Sequence, residues 1–240
     1  GYELIDPVGV GGHGYVWRAE CVYSEGDLAV KVIVDEDKEQ IQNQLKRIES
    51  LSAPPFIECP NLVHLFLGFG SSHSHNLFIV MQYVGCGSIS SIMKFTKSQG
   101  LSETVVLSIA KLALKGIAFL HSENWIHRDV KAKNILISPT GQVKLSDLYK
   151  SCEILDVDPE KMVGSLTHMA PEVVSKHKYD EKVDVWSFGI TLMELLMRKP
   201  PKAKLYGETL RYAIVNQDPP SFPEEFEVSQ DMKNLVERCL

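Results

Sequence analysis

The sequence predicts an α+β fold in two lobes, a small β-rich one over residues 1–84 and a larger α-rich one over residues 85–240. Three observations predict it. The first third alternates short valine- and aromatic-rich runs with glycine punctuation, the mark of strands and turns. The later sequence repeats apolar residues every three or four positions, the mark of amphipathic helices. Between them Gly85-Cys86-Gly87-Ser88 breaks both patterns, and no internal repeat or low-complexity segment blurs the division.

Strands are expected over 3–8, 15–22 and 27–34, followed by a helix over 37–51 in which Ile41, Leu45 and Ile48 share a face. Two further strands follow at 62–68 and 77–83, separated by the polar turn Ser71-Ser72-His73-Ser74-His75-Asn76. His73 and His75 have no third ligand nearby in sequence, so a turn is preferred to a metal pair. In the α-rich part, residues 104–121 place Val105, Ile109, Leu112, Ala113, Ile117 and Leu120 on one stripe, with Ser102 as N-cap and Glu103 in the first turn. Residues 183–197 are apolar almost all round, which predicts a buried central helix ended by Arg198-Lys199-Pro200-Pro201.

Bulk properties narrow the function. A formal net charge of -6 without a lysine or arginine block argues against a nucleic-acid partner. Five scattered cysteines without C-x-x-C spacing give no zinc site or disulfide framework and fit reduced thiols, hence a cytoplasmic or nuclear location. No run approaches the roughly 18 apolar residues of a membrane span. The N-terminus carries no signal-like segment.

The chemistry concentrates in His127-Arg128-Asp129-Val130-Lys131-Ala132-Lys133-Asn134. Phosphoryl transfer to a hydroxyl needs a carboxylate to take the proton, cations to neutralise developing charge and a side-chain oxygen for magnesium. Asp129, Lys131 and Asn134 supply these within two turns of backbone. Gly9-Val10-Gly11-Gly12-His13-Gly14 contains G-x-G-x-x-G, which opens either a dinucleotide site or a phosphate-covering hairpin. The strand-like Tyr15-Val16-Trp17-Arg18-Ala19 that follows favours the hairpin, since a dinucleotide fold puts a helix there. Lys31 lies among the apolar residues of the third strand, where it must find an anion; a nucleotide phosphate serves. Asp147 offers a second carboxylate for magnesium, Glu172 is expected in a buried ion pair, and Asp184 is expected to cap backbone near the catalytic turn.

In this order, with Ala170-Pro171-Glu172 and Asp184-Val185-Trp186-Ser187-Phe188-Gly189, these motifs resemble a eukaryotic protein kinase over essentially the whole chain. Lys131 after Asp129, and Gly164-Ser165 before Ala170, follow the serine/threonine pattern. The segments around Gly85-Cys86-Gly87-Ser88-Ile89, Val163-Gly164-Ser165 and Asn216-Gln217-Asp218-Pro219-Pro220 resemble the germinal-centre-kinase-like (sterile-twenty-like) branch.

The resemblance implies a bilobal protein-kinase-like fold: an antiparallel N-lobe with one regulatory helix, then an α-rich C-lobe. It implies a signalling enzyme that uses ATP and Mg2+ to phosphorylate Ser/Thr hydroxyls of protein substrates, and it leaves room for a regulatory protein partner. Asp129 would be the base, Lys131 would support the phosphoryl, Asn134 and Asp147 would hold magnesium and Lys31 the α- and β-phosphates. ATP contacts would come from Gly9, Val10, Gly11, Gly12, Gly14, Val16, Ala29, Met81 as gatekeeper, Gln82, Tyr83, Val84 and Leu136. Arg128, Glu160, Ser165 and Glu172 would serve the activation segment.

Four departures from the family pattern stand out. Gln44 occupies the position of the helix glutamate that pairs with the strand lysine; it can hydrogen-bond Lys31 but not neutralise it. Leu148-Tyr149 replaces Phe-Gly after Asp147. Leucine keeps an apolar anchor, while tyrosine removes backbone freedom. Lys161 stands where branch members carry a phosphorylated threonine, and Asp156, Asp158 and Glu160 lie beside it. One of these acids is expected to pair with Arg128 in place of a phosphate. The chain also stops at Leu240, before the arginine that pairs with the Ala-Pro-Glu glutamate in such kinases, so it reads as an incomplete domain. The alternative is a pseudokinase acting as an allosteric scaffold, supported by Gln44 and Tyr149. A small-molecule phosphotransferase is disfavoured by the peptide-docking character of residues 164–172.

Overall fold

The structure, a computed structural model, describes residues 1–11, 14–22, 24–34, 37–71, 75–96 and 100–240. Two compact units form: Gly1–Gly87 with Ile137–Tyr149, and Ser88–Leu136 with Lys150–Leu240.

In the first unit β1 (Tyr2–Gly11), β2 (Gly14–Cys21), β3 (Ser24–Ile33), β4 (Leu65–Gly70) and β5 (Leu77–Gln82) make an antiparallel sheet ordered β1-β2-β3-β5-β4. Side chains alternate across it. Val30 pairs directly with Val80 and packs with Ala19, flanked by Leu28, Val32 and Phe78, while Ala29 and Lys31 point from the other face of β3. Pro7, which has no N–H to give a ladder, sits in the edge strand β1 beside a register shift. Helix α1 (Lys38–Leu51) starts at Asp37, whose carboxylate accepts from the Gln40 amide at 2.8 Å, and buries Ile41, Ile48 and Leu51 as the periodicity predicts.

The fourth strand begins three residues later than expected. Residues 61–63 pair instead with Val143–Leu145: the Val63 amide donates to the Leu145 carbonyl and the Leu145 amide to the Asn61 carbonyl, each at 2.8 Å. The Asn61 side chain adds a third bond, to the Val143 carbonyl at 2.9 Å. These bonds carry residues 137–149 into the first unit. Lys144 is buried there, its ammonium on the Leu62 carbonyl at 3.2 Å, and burial lowers its pKa.

Gly14 opens β2 with φ +142°, and a Cβ there would stand 1.8 Å from the Val32 carbonyl oxygen. Gly14→Ala is therefore expected to cost about 2 kcal/mol or more. Urea unfolding measures this, and an unchanged midpoint would contradict the close approach.

The second unit contains α2 (Ile89–Phe95), α3 (Glu103–Ser122), α4 (Pro171–Val174), α5 (Lys182–Met197), α6 (Gly207–Asn216) and α7 (Gln230–Glu237), with Trp125–Ile126 antiparallel to Cys152–Glu153. Helix α5 is buried along most of its length, packs against α3 and α7, and ends where Arg198 turns left-handed (φ 66°). The α+β expectation holds, with a five-stranded antiparallel sheet and one α-helix described in the first unit and an α-rich second unit.

The expectation about membrane length is corrected by α3, whose 18-residue window has a mean hydropathy of 1.5, enough by length and composition to span a bilayer. Lys111 and Lys115 are too few to offset its aliphatic residues. The buried stripe Val106, Ile109, Ala113, Ile117 and Leu120 packs against α5 and Trp125–Ile126, the placement of a core helix.

Candidate active site

The turn of the second unit that carries Asp129 is built on α5. Asp184, fully buried, accepts from the amides of His127 and Arg128 at 2.8 Å each and contacts His121 Nε2 at 2.9 Å. The expected backbone cap is thus in place. It stabilises a turn in which Arg128 adopts a left-handed φ of 66°. Further along α5, Thr191 donates to the Val130 carbonyl at 3.2 Å, and Glu194 accepts from the Ala132 amide at 2.9 Å while meeting His168 Nε2 at 3.1 Å.

The turn presents the Asp129 carboxylate to a cluster of donors. Lys131 reaches both oxygens at 2.9 and 3.0 Å, Ser165 donates to Oδ1 at 2.9 Å, and Asn134 Nδ2 donates to Oδ2 at 3.0 Å. Lys150 adds a second ammonium at 2.8 Å from Oδ2. Burial by itself would raise the Asp129 pKa; the Lys150 and Lys131 ammonium groups outweigh it and hold the carboxyl well below the usual range. Gly164, at φ +114°, lets the segment that carries Ser165 approach: a Cβ there would lie 2.3 Å from the Arg128 carbonyl oxygen. Asp129, Lys131, Asn134 and Ser165, named from sequence, are therefore one cluster.

Arg128 does not meet the acidic loop as expected. Its guanidinium is buried and donates through Nε and Nη2 to the Lys150 carbonyl, the Nε bond at 2.8 Å, and it also bonds the hydroxyl of the half-buried Tyr179. Glu160 instead faces solvent, paired with Lys176 at 2.8 Å, and Asp158 pairs with Lys161 at 3.7 Å. A buried guanidinium takes the acceptors beside it, whereas the acids keep their hydration. Glu172 is half-buried in the first turn of α4 and forms no ion pair among the described residues. It lines a cavity of about 380 Å³ with Lys182, Trp186, Cys239 and Leu240.

In the first unit, Val16 and Lys31 are direct cross-strand partners, and Ala29 lies two residues along β3 opposite Met81, so all four share a sheet face. The glycine segment ends as a hairpin, with Gly9 opposite Val16 and Gly11 opposite Gly14, and a strand follows it as the sequence predicts. Gly12 lies outside the described residues, as does His73 of the polar turn. After β5, Val84 is buried and Gln82 and Tyr83 are half-buried; in the second unit Leu136 bridges Ser88.

Lys31 Nζ bonds Asp147 Oδ1 at 2.5 Å and stands 4.6 Å over the Tyr149 ring. The Gln44 hydrogen bond is not made: among the described residues, the buried Gln44 Oε1 atom has no hydrogen-bond partner. Asp147, a full charge on the same unit, outcompetes a neutral amide for the ammonium. Leu148 is buried, as an apolar anchor should be, and Tyr149 is buried with it in a short 3-10 turn that begins after Asp147 bends left-handed at φ 64°.

Magnesium suits the oxygen donors the sequence nominates. In the second unit Asn134 Nδ2 bonds Asp129, and in the first unit Asp147 carries a carboxylate; amide and carboxylate oxygens are the hard ligands that Mg2+ takes. No group of three or more His, Cys, Asp or Glu residues competes for a metal among the described residues.

Two contributors escaped the sequence reading. Glu194 was legible as a carboxylate in an apolar helix, which must find partners. Lys150 carries no such signal, since a lysine three residues past Asp147 looks like any surface charge.

The chain matches the protein kinase domain over residues 2–240. It is 35% identical over its full length to serine/threonine-protein kinase fray1 of Dictyostelium discoideum, covering 42% of that protein. It is 37% identical to fray2 of the same organism, covering 23% of it, and 30% identical to serine/threonine-protein kinase hippo of Drosophila melanogaster, covering 35%. The chain thus spans less than half the length of these relatives. They bear out the germinal-centre-kinase-like resemblance and give the scaffold alternative no support.

Proposed function

Because the chain belongs to the protein kinase family, we propose that it transfers the γ-phosphoryl group of ATP to serine and threonine hydroxyls of protein substrates in a signalling role. The observation that carries this reading is the Asp129 carboxylate held ionised among Lys131, Asn134 and Ser165. As the acceptor oxygen bonds to the γ-phosphorus and the bond to the ADP oxygen breaks, Asp129 takes the hydroxyl proton. Lys131 offsets charge on the transferring group, and Lys31 binds the nucleotide phosphates. Asn134 and Asp147 would hold Mg2+, which neutralises phosphate charge. The Lys31–Asp147 bond supports an active arrangement without a helix glutamate, since it supplies Lys31 with the anion that Gln44 cannot. Residues 164–172, beginning at the Ser165 contact to Asp129, would dock the acceptor peptide. The five cysteines, none joined in a disulfide among the described residues, accord with a reducing, cytoplasmic setting.

Peptides that differ only in carrying Ser, Thr or Tyr test the acceptor class. Transfer is expected to Ser and Thr and to stop when a chelator removes the metal; transfer chiefly to Tyr would contradict the reading. Lys31→Met is expected to lower kcat/KM about a hundredfold, the usual scale for one preorganised electrostatic contact.

A further inference from the structure

A carboxylate offers about four lone-pair positions, two on each oxygen. On Asp129 they are taken: Lys131 and Ser165 approach Oδ1, while Lys131, Lys150 and Asn134 approach Oδ2. An acceptor hydroxyl must come within about 2.6–3.2 Å of one of these oxygens to give up its proton, so a present donor has to leave first. Lys131, Asn134 and Ser165 each have a place in the proposed transfer; Lys150 has none.

Lys150 is also held where it is. Its side chain is 10% exposed, against an Asp129 side chain that is fully buried. Its carbonyl is gripped by Arg128, and the preceding Leu148 and Tyr149 are buried. A lysine on solvated backbone would exchange freely with water, whereas this one is anchored on both sides of its Cα.

We propose that Lys150 is a plug on the catalytic base: its ammonium occupies the position on Asp129 that the acceptor hydroxyl must use, so Leu148–Lys150 has to withdraw before a protein substrate reacts. The proposal rests on the kinase reading above and adds a form of control that needs no phosphorylated loop residue. The plug competes with the protein acceptor and not with ATP. It also stabilises the resting fold, so its removal trades stability for turnover, which a merely structural lysine would not do.

The test is steady-state transfer of labelled γ-phosphoryl from Mg-ATP to a basic, serine-containing acceptor protein by the full-length protein. Lys150→Met keeps the aliphatic stem and removes the charge. It is expected to raise kcat/KM for the acceptor about tenfold, the worth of one charge-assisted hydrogen bond, through a lower acceptor KM. The ATP KM should stay put, the melting temperature should fall, and Lys150→Arg should not activate. Lys150→Gln should repeat the gain and serves if the methionine variant folds poorly. A folded Lys150→Met or Lys150→Gln protein no more active than wild type overturns the plug and leaves the kinase reading standing. No transfer from wild type or either variant, with ATP bound, overturns both.

Discussion

Asp129→Asn lowers the rate of phosphoryl transfer about a thousandfold, within the range that a positioned general base contributes. Asparagine has nearly the shape of aspartate and can still accept from Ser165, so the turn keeps its geometry. What it lacks is the second anionic oxygen to take a proton and the charge that balances Lys131 and Lys150. Those two ammonium groups, both largely buried, are left sharing a neutral amide, so stability also falls, by about 1–3 kcal/mol. Single-turnover transfer with saturating Mg-ATP separates the chemical loss from weaker substrate binding, and circular dichroism confirms the fold. A variant retaining a tenth of wild-type activity would remove Asp129 from the role of base.

The second large effect is on stability. Asp184→Ala strands the buried His127 and Arg128 amides and removes the acceptor of the part-buried His121 imidazole. Two buried N–H groups without acceptors, together with loss of the carboxylate, are expected to cost about 3–5 kcal/mol in urea unfolding. Activity falls too, since the left-handed Arg128 and the adjacent Asp129 lose the contacts that hold them. Asp184→Asn retains one acceptor oxygen and should fall between wild type and alanine. A midpoint for Asp184→Ala within experimental error of wild type would show that the turn is held by something other than α5.

Local chemistry was legible in the sequence wherever period and spacing alone decide it. The strands of the sheet, α1, α3 and α5 followed from apolar period, with ends displaced by no more than three residues. Asp129, Lys131 and Asn134 sit within six residues of one another, so their convergence needed no long-range folding. Asp184 was legible because a carboxylate in a wholly apolar helix has few uses besides capping backbone. The rest depended on contacts between distant segments. Residues 61–63 could pair with β5 or with Val143–Leu145, and nothing in their period chooses between these partners. Arg128 could take either a nearby carbonyl or an acid from the loop; burial of its guanidinium decided for the carbonyl. Gln44 was read as able to hydrogen-bond Lys31 and does not; that Asp147 takes its place depended on where the chain returns after residue 137. The short helices α2, α4, α6 and α7 present too few turns for their apolar period to stand out.

Whether Asp147 makes good the missing helix glutamate is settled by one assay: labelled γ-phosphoryl transfer from Mg-ATP to a basic serine/threonine protein by the full-length wild-type protein, with Asp129→Ala alongside. Transfer to Ser and Thr by wild type, lost in the variant and without metal, is the expected result. A folded wild-type protein that binds ATP and transfers nothing to any protein acceptor would contradict it.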